Sequence, residues 1–172
     1  MPPPALTIRD RVIELRRVRA GDLLPHPGNW RRHPPAQRAA LAGILDEVGY
    51  AGAVLARETP DGLMLIDGHL RAETTPDQAI PVLVLDVSAD EAAKLLATMD
   101  PLAAMAEADS AALDALLRDV DTSSAALQTM LADLAKNAGI APAFEPVDIE
   151  EQRRLDERAK VTCPECGCEF TP

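Results

Sequence analysis

Residues 65–74 read LIDGHLRAET, and four of them could do chemistry together: Asp67, Gly68, His69 and Arg71. They follow the apolar run 63–66 and precede a segment with helical spacing, so they sit where a strand hands over to a helix. A glycine there lets the backbone approach a ligand closely, and the first N–H groups of the next helix have no partners of their own. Arg71 offers a planar fork for phosphate oxygens. His69 could donate to a phosphate or act as acid or base near neutral pH. Asp67 could hold a metal ion or orient His69. Asn29, Arg31 and Arg32, from an upstream loop, form the natural second wall. The plain alternative is a capping turn, with His69 a surface histidine and Arg71 paired to Glu73.

A second chemical signal lies at the other end of the chain. CPECGC places Cys163, Cys166 and Cys168 in the last ten residues, and there are no other cysteines. Cys163 and Cys166 have the spacing of a zinc knuckle, and Cys168 could be a third ligand. Structural zinc takes four. The remainder would come from a second copy, a partner, a distant histidine, or nowhere, in which case the tail is metal-free. The absence of a disulfide framework fits a reducing compartment.

The elements that must position these groups follow from periodicity. Residues 12–18 alternate as a strand with one wet face. Residues 20–35 are loop, punctuated by Gly and Pro, and Pro34–Pro35 mark a helix start. Leu41, Ile44, Leu45 and Val48 share a helical face that Gly49 closes. Residues 53–59 and 63–66 form a hairpin about a 60–62 turn, and 80–87 form a strand covered on both faces. Ser88 with Glu91 has capping-box spacing, which predicts a helix over 89–100, broken or restarted by Pro101. Beyond Asp109, two amphipathic helices carry the stripes Leu113, Leu116, Leu117, Val120 and Leu127, Met130, Leu131, Leu134. They read as a helical hairpin packed on the domain or on a partner, interior packing being the favoured role.

The chain has 172 residues, 47% apolar but only 2% aromatic, so its core must rest on small aliphatic contacts. Its net charge of −11 is unevenly spread. Residues 1–38 carry eight arginines against Asp10, Glu14 and Asp22, a balance of +5, leaving −16 for the rest. A basic lobe on an acidic body could meet phosphates with one side, or its arginines could simply be solvated. The acidic total argues against tight non-specific DNA binding by this chain alone. No apolar run nears the roughly 20 residues that span a bilayer, and the start lacks a signal-peptide stretch, so a soluble, cytoplasmic protein without membrane contact is expected.

The order of motifs carries a resemblance. LLPHPGNWRRHP (23–34), LIDGHLRAE (65–73) and IPVLVLDVS (80–88), followed by helices, resemble the ParB N-terminal domain of the ParB/sulfiredoxin fold. The likeness is greatest to the divergent phage and mobile-element versions called ParB-like nuclease domains. It implies an α+β fold, a small mixed sheet with packed helices, over residues 10–108. Residues 1–9 would be a flexible N-terminus, 109–140 a helical extension, 141–160 an acidic linker or exposed helix, and 161–172 a zinc-knuckle-like tail.

In segregation ParB proteins the junction reads Gly-Glu-Arg-Arg and helps bind the triphosphate of CTP. Sulfiredoxins place a cysteine there, which this chain lacks, so their thiolate chemistry is not expected. The ParB Glu-Asn-x-x-Arg box has only Asp100 as a counterpart here, without the arginine. The resemblance thus implies a nucleotide, CTP or ATP with Mg²⁺, bound by Gly68, His69, Arg71, Asn29, Arg31 and Arg32. It also implies nucleic acid and a larger DNA-processing protein as partners, and a homodimer. An enzymatic version, nuclease or nucleotide hydrolase, would use Asp67, His69 and Asp100 around a metal. A third reading is an assembly adaptor, with the helical hairpin and cysteine tail as docking elements.

Overall fold

Val12–Arg19 forms strand β1, and a single 3-10 turn at Ala20–Asp22 leads into the 23–34 loop. Pro35 opens helix α1 (Pro35–Glu47), where its missing N–H removes no helical hydrogen bond. Strands β2 (Val54–Thr59) and β3 (Gly62–Asp67) make an antiparallel hairpin. Helix α2 (His69–Thr74), strand β4 (Ala79–Leu85) and helices α3 (Ala89–Ala104), α4 (Ser110–Asp119) and α5 (Ala125–Asn137) complete the first unit. The computed structural model describes residues 8–140, 161–162 and 168–170. The chain divides into two units, Met1–Ile140 and Ala141–Pro172.

The four-stranded sheet has the order β1-β4-β2-β3. β4 runs antiparallel to β1 and parallel to β2, and the parallel pair is joined through β3 and α2. Val54, Ala56, Leu65, Ile80, Val82 and Val84 pack on one face, beneath Ala72 of α2 and half-buried Tyr50. On the other face, Ile66 and Leu85 meet Ala92 and Leu95 of α3. With almost no aromatics, this core is built from branched aliphatics on both sides of the sheet, so β4 is buried throughout most of its length. The architecture is α+β, as the sequence predicts.

The two sheet edges differ. Leu24 lies along the outside of β3, its N–H donating to the Leu63 carbonyl and its carbonyl accepting from the Leu65 N–H, both at 2.8 Å. Among the described residues, β1 pairs with β4 alone.

Four expectations need correction. Helix α3 does not stop at Asp100; it continues through Pro101 to Ala104, since one lost N–H near a helix end is tolerated where the ring faces solvent. β1 is dry only at its end: Val18 packs against the core, but Ile13 and Leu15 are about 60% exposed, because α3 covers only the far end of the sheet. The hairpin stripes are only partly interior: Leu127 is buried and Leu113, Leu117 and Leu131 are half-buried, while Leu116, Val120, Met130 and Leu134 are exposed, with α5 docked on α1 and α4 on α5. Nor is the basic N-terminal lobe a free positive surface. Arg11 holds Glu91 through both oxygens at 2.9 and 2.8 Å, Arg16 bonds Glu14 and Glu58, and Arg19 bonds Asp77 at 2.5 Å.

The capping box at Ser88 and Glu91 forms as expected. In the second unit, β5 (Val161–Thr162) and β6 (Glu169–Phe170) pair antiparallel. Cys168 is exposed and makes no disulfide. Cys163 and Cys166 lie outside the described residues.

Candidate functional site

The apolar run of β3 ends with a register shift: Ala56 faces Leu65 but Leu55 faces Asp67, so Ile66 is an extra residue in the strand. Such bulges re-aim the side chains beside them. The next residue, Gly68, adopts a left-handed conformation (φ 92°) as the cap of α2. A Cβ there would strike Val54, whose own Cβ would lie 2.7 Å away. Glycine is therefore required both by the turn and by the close packing of the floor on β2.

Above this junction lies a cavity of about 370 Å³, the size of small-ligand sites. Its floor is Ile66, Asp67, Gly68, His69, Leu70 and Arg71. One wall is the loop and the start of α1, through Asn29, Arg31, His33, Gln37 and Leu41. The opposite wall is α3, through Leu95, Leu96, Met99 and Asp100. Asn29, Arg31, Asp67, Gly68, His69, Arg71 and Asp100, all singled out from the sequence, thus converge on one cavity. Arg32 does not: it is exposed and points away from the lining.

The missed residues left signals. In 29–34, half-buried and exposed residues alternate, with Asn29, Arg31 and His33 inward and Trp30, Arg32 and Pro34 outward. Extended backbone between flanking prolines imposes that period of two. Leu95, Leu96 and Met99 share a helical face with Asp100.

The cavity's charges are already matched. Arg71 bonds Asp67 at 2.9 Å, not Glu73, which instead pairs with Arg38 of α1 at 2.8 Å. Arg31 bonds Asp100 at 2.6 Å, lies over the Trp30 ring at 5.1 Å, and keeps a buried Nε with no partner. His69 is 6% exposed, and its Nε2 accepts a hydrogen bond from the His26 N–H at 3.2 Å. That bond requires a bare Nε2, so the neutral ring carries its proton on Nδ1. Burial pushes the His69 pKa below its usual value, outweighing the opposite pull of Asp67 and Glu73. Among the described residues, no three His, Cys, Asp or Glu side chains come close enough to share a metal ion. Asp67 and His69 line the cavity's floor and Asp100 its α3 wall.

The fold has a counterpart among solved structures. The C-terminally truncated chromosome-partitioning protein ParB from Caulobacter crescentus, complexed with CTP-γ-S, superposes with a TM-score of 0.53. The fold is ParB-like. The two sequences are 14% identical, and the match covers 73% of this chain and 88% of that one. No protein-family model and no curated protein matches the sequence. In this ParB-like fold the cavity is formed where β3 meets α2, with the 23–34 loop and α3 as its walls. No helix among the described residues is long and apolar enough to cross a membrane.

Proposed function

We propose that the cavity binds the phosphates of a nucleotide, and that the chain serves as a nucleotide-binding component of a DNA-associated process. The observation that carries this reading is the convergence of two arginines, Arg31 and Arg71, on a glycine floor in one cavity. The ParB-like fold supports it, since the Caulobacter protein was crystallised with a CTP analogue.

Charge balance makes the reading more specific. Each arginine already has a carboxylate partner, so the cavity offers no net positive charge to a polyphosphate. A divalent cation would supply it. Mg²⁺ is commonly held by one or two carboxylates together with substrate phosphates, and a cavity with two aspartates and no complete protein-only metal set fits that mode. Binding is therefore expected to require Mg²⁺. His69, which needs its bare Nε2 to hold the loop, is poorly placed to activate water, so binding without turnover is favoured over nuclease or hydrolase activity.

Native mass spectrometry of the chain with CTP, ATP or GTP, with and without Mg²⁺, tests this. A Mg²⁺-dependent adduct of one nucleotide that is lost in Arg71→Ala is expected; no adduct with any of them would remove the reading. The same spectra count zinc and subunits. The tail offers only three sulfurs, so a bound zinc would need a fourth ligand, and a zinc-linked dimer is one way to provide it.

An adaptor reading has one observation in its favour. Leu116, Val120, Met130 and Leu134 are 43–60% exposed along α4 and α5, an apolar stripe suited to a protein partner. Partner capture that survives Arg71→Ala would favour it.

A further inference from the structure

The loop over the cavity is held by an unusual chain of hydrogen bonds, each link depending on the previous one. His69, at the start of α2, accepts from the His26 N–H through Nε2 at 3.2 Å. His26 in turn accepts from the Gly28 N–H through Nδ1 at 3.0 Å, and its carbonyl accepts from the Asn29 N–H at 2.9 Å. The Asn29 side chain then accepts from the Arg31 N–H at 3.2 Å. The two residues at the end of this chain, Asn29 and Arg31, are polar members of the cavity's loop wall, beside His33 and Gln37.

The loop has few other anchors in this stretch. Pro25 and Pro27 have no N–H, and 25–33 contains no helix or strand. Upstream it is fixed to β3 by Leu24, and downstream by the start of α1. Between those ends, one buried imidazole connects the loop backbone to the floor, and the Arg31–Asp100 ion pair ties the loop's side chains to α3. Burying a polar ring is unfavourable unless its hydrogen bonds are satisfied. Here the His26 N–H meets that need at Nε2, and the same bond ties the loop to the start of α2.

We propose that His69 is a positioning residue, acting through His26 to place Asn29 and Arg31 over the cavity rather than touching the ligand's phosphates itself. This rests on the anion-binding reading only for its functional consequence; the loop effect stands apart from it. It reverses the role that residue type suggests, since a histidine in an anion site is ordinarily taken for a donor. It also gives Gly28 a purpose. A Cβ at Gly28 would lie 3.2 Å from His26 Nδ1 and 3.3 Å from Cε1, so a side chain there would press on the second imidazole of the relay.

The test compares His69→Leu, His69→Gln and Gly28→Ala. The glutamine oxygen can replace Nε2 as an acceptor; leucine fills space but cannot accept. Trp30 is the only tryptophan of the chain and lies beside Arg31, so its accessibility to acrylamide reports the loop. Amide hydrogen exchange at His26 and Gly28 reports the relay directly. His69→Leu is expected to speed exchange at His26 by about fivefold to tenfold, the equivalent of one hydrogen bond, and to alter Trp30 quenching while leaving exchange in β2 and β4 unchanged. Mg²⁺-CTP affinity should fall by a similar factor, and His69→Gln should restore both.

Gly28→Ala should loosen the same amides without touching His69, which keeps the test decisive should His69→Leu fail to fold. Unchanged exchange at His26 in His69→Leu, or no recovery with glutamine, would overturn the proposal. If the wild type binds no nucleotide, exchange and quenching still decide the positioning role, and only the anion reading fails.

Discussion

Gly68 has a left-handed backbone and sits against Val54, so it cannot carry a side chain without moving β2. Gly68→Ala is expected to cost roughly 2–4 kcal/mol, the sum of backbone strain and overpacking, as read from urea unfolding. Two acid-sensitive groups work at the same scale. The Arg11 guanidinium and the Ser88 N–H hold Glu91 at about 2, against a usual 4.5. Its contribution to stability is therefore complete above pH 4.5 and is lost as pH falls toward 2. Buried His69 titrates below its usual 6.5, so the unfolded chain takes up a proton first and stability begins to fall as pH drops below 6.5. Unfolding midpoints measured from pH 8 to pH 2.5 should show both declines, with Glu91→Gln making the lower one shallower and Glu47 accounting for part of what remains.

At the scale of elements, α5 is fastened to α1 by a contact absent from any hydrophobic pattern. Glu47, at the end of α1, accepts from Thr122, Ser123 and Ser124, which open α5, and those bonds lower its pKa. A carboxylate at a helix N-terminus also suits the helix dipole. Gly43 lets the helices approach: a Cβ there would clash with Ser124 and lie 3.3 Å from Leu127. Gly43→Ala should destabilise by roughly 1–3 kcal/mol, seen as a lower thermal midpoint, without changing the cavity at β3. This junction shows where sequence reading runs out. The β3–Gly68–α2 handover was legible because local signals, an apolar run and a glycine, define it. The choice of Arg31 over Arg32 followed from the extended period of the loop, which the flanking prolines encode but which a search for basic residues ignores. The α3 wall and the α1–α5 clasp join residues distant in sequence, and no local pattern announces such pairs.

For the molecule as a whole, the N-terminal arginine excess is largely paired among the described residues. Arg11, just before β1, and Arg16 and Arg19 within it are held by Glu91, Glu58 and Asp77 from later in the chain, so that excess acts as stitching across the sheet. Exposed pairs of this kind are individually weak and screened by salt. Raising NaCl from about 0.05 to 1 M should therefore lower the thermal midpoint modestly. The unequal edges of the sheet have a further consequence. With Leu24 laid along β3, a strand from another molecule meets an occupied edge on that side, whereas β1 has no second strand partner among the described residues and carries Ile13 and Leu15 exposed. With one free edge, strand-to-strand association in concentrated solution would pair β1 with β1 of a second copy and stop there, and its onset would be set by one short segment. A single Leu15→Lys change should raise the concentration at which light scattering first departs from that of a dilute sample, and would do so with the cavity intact.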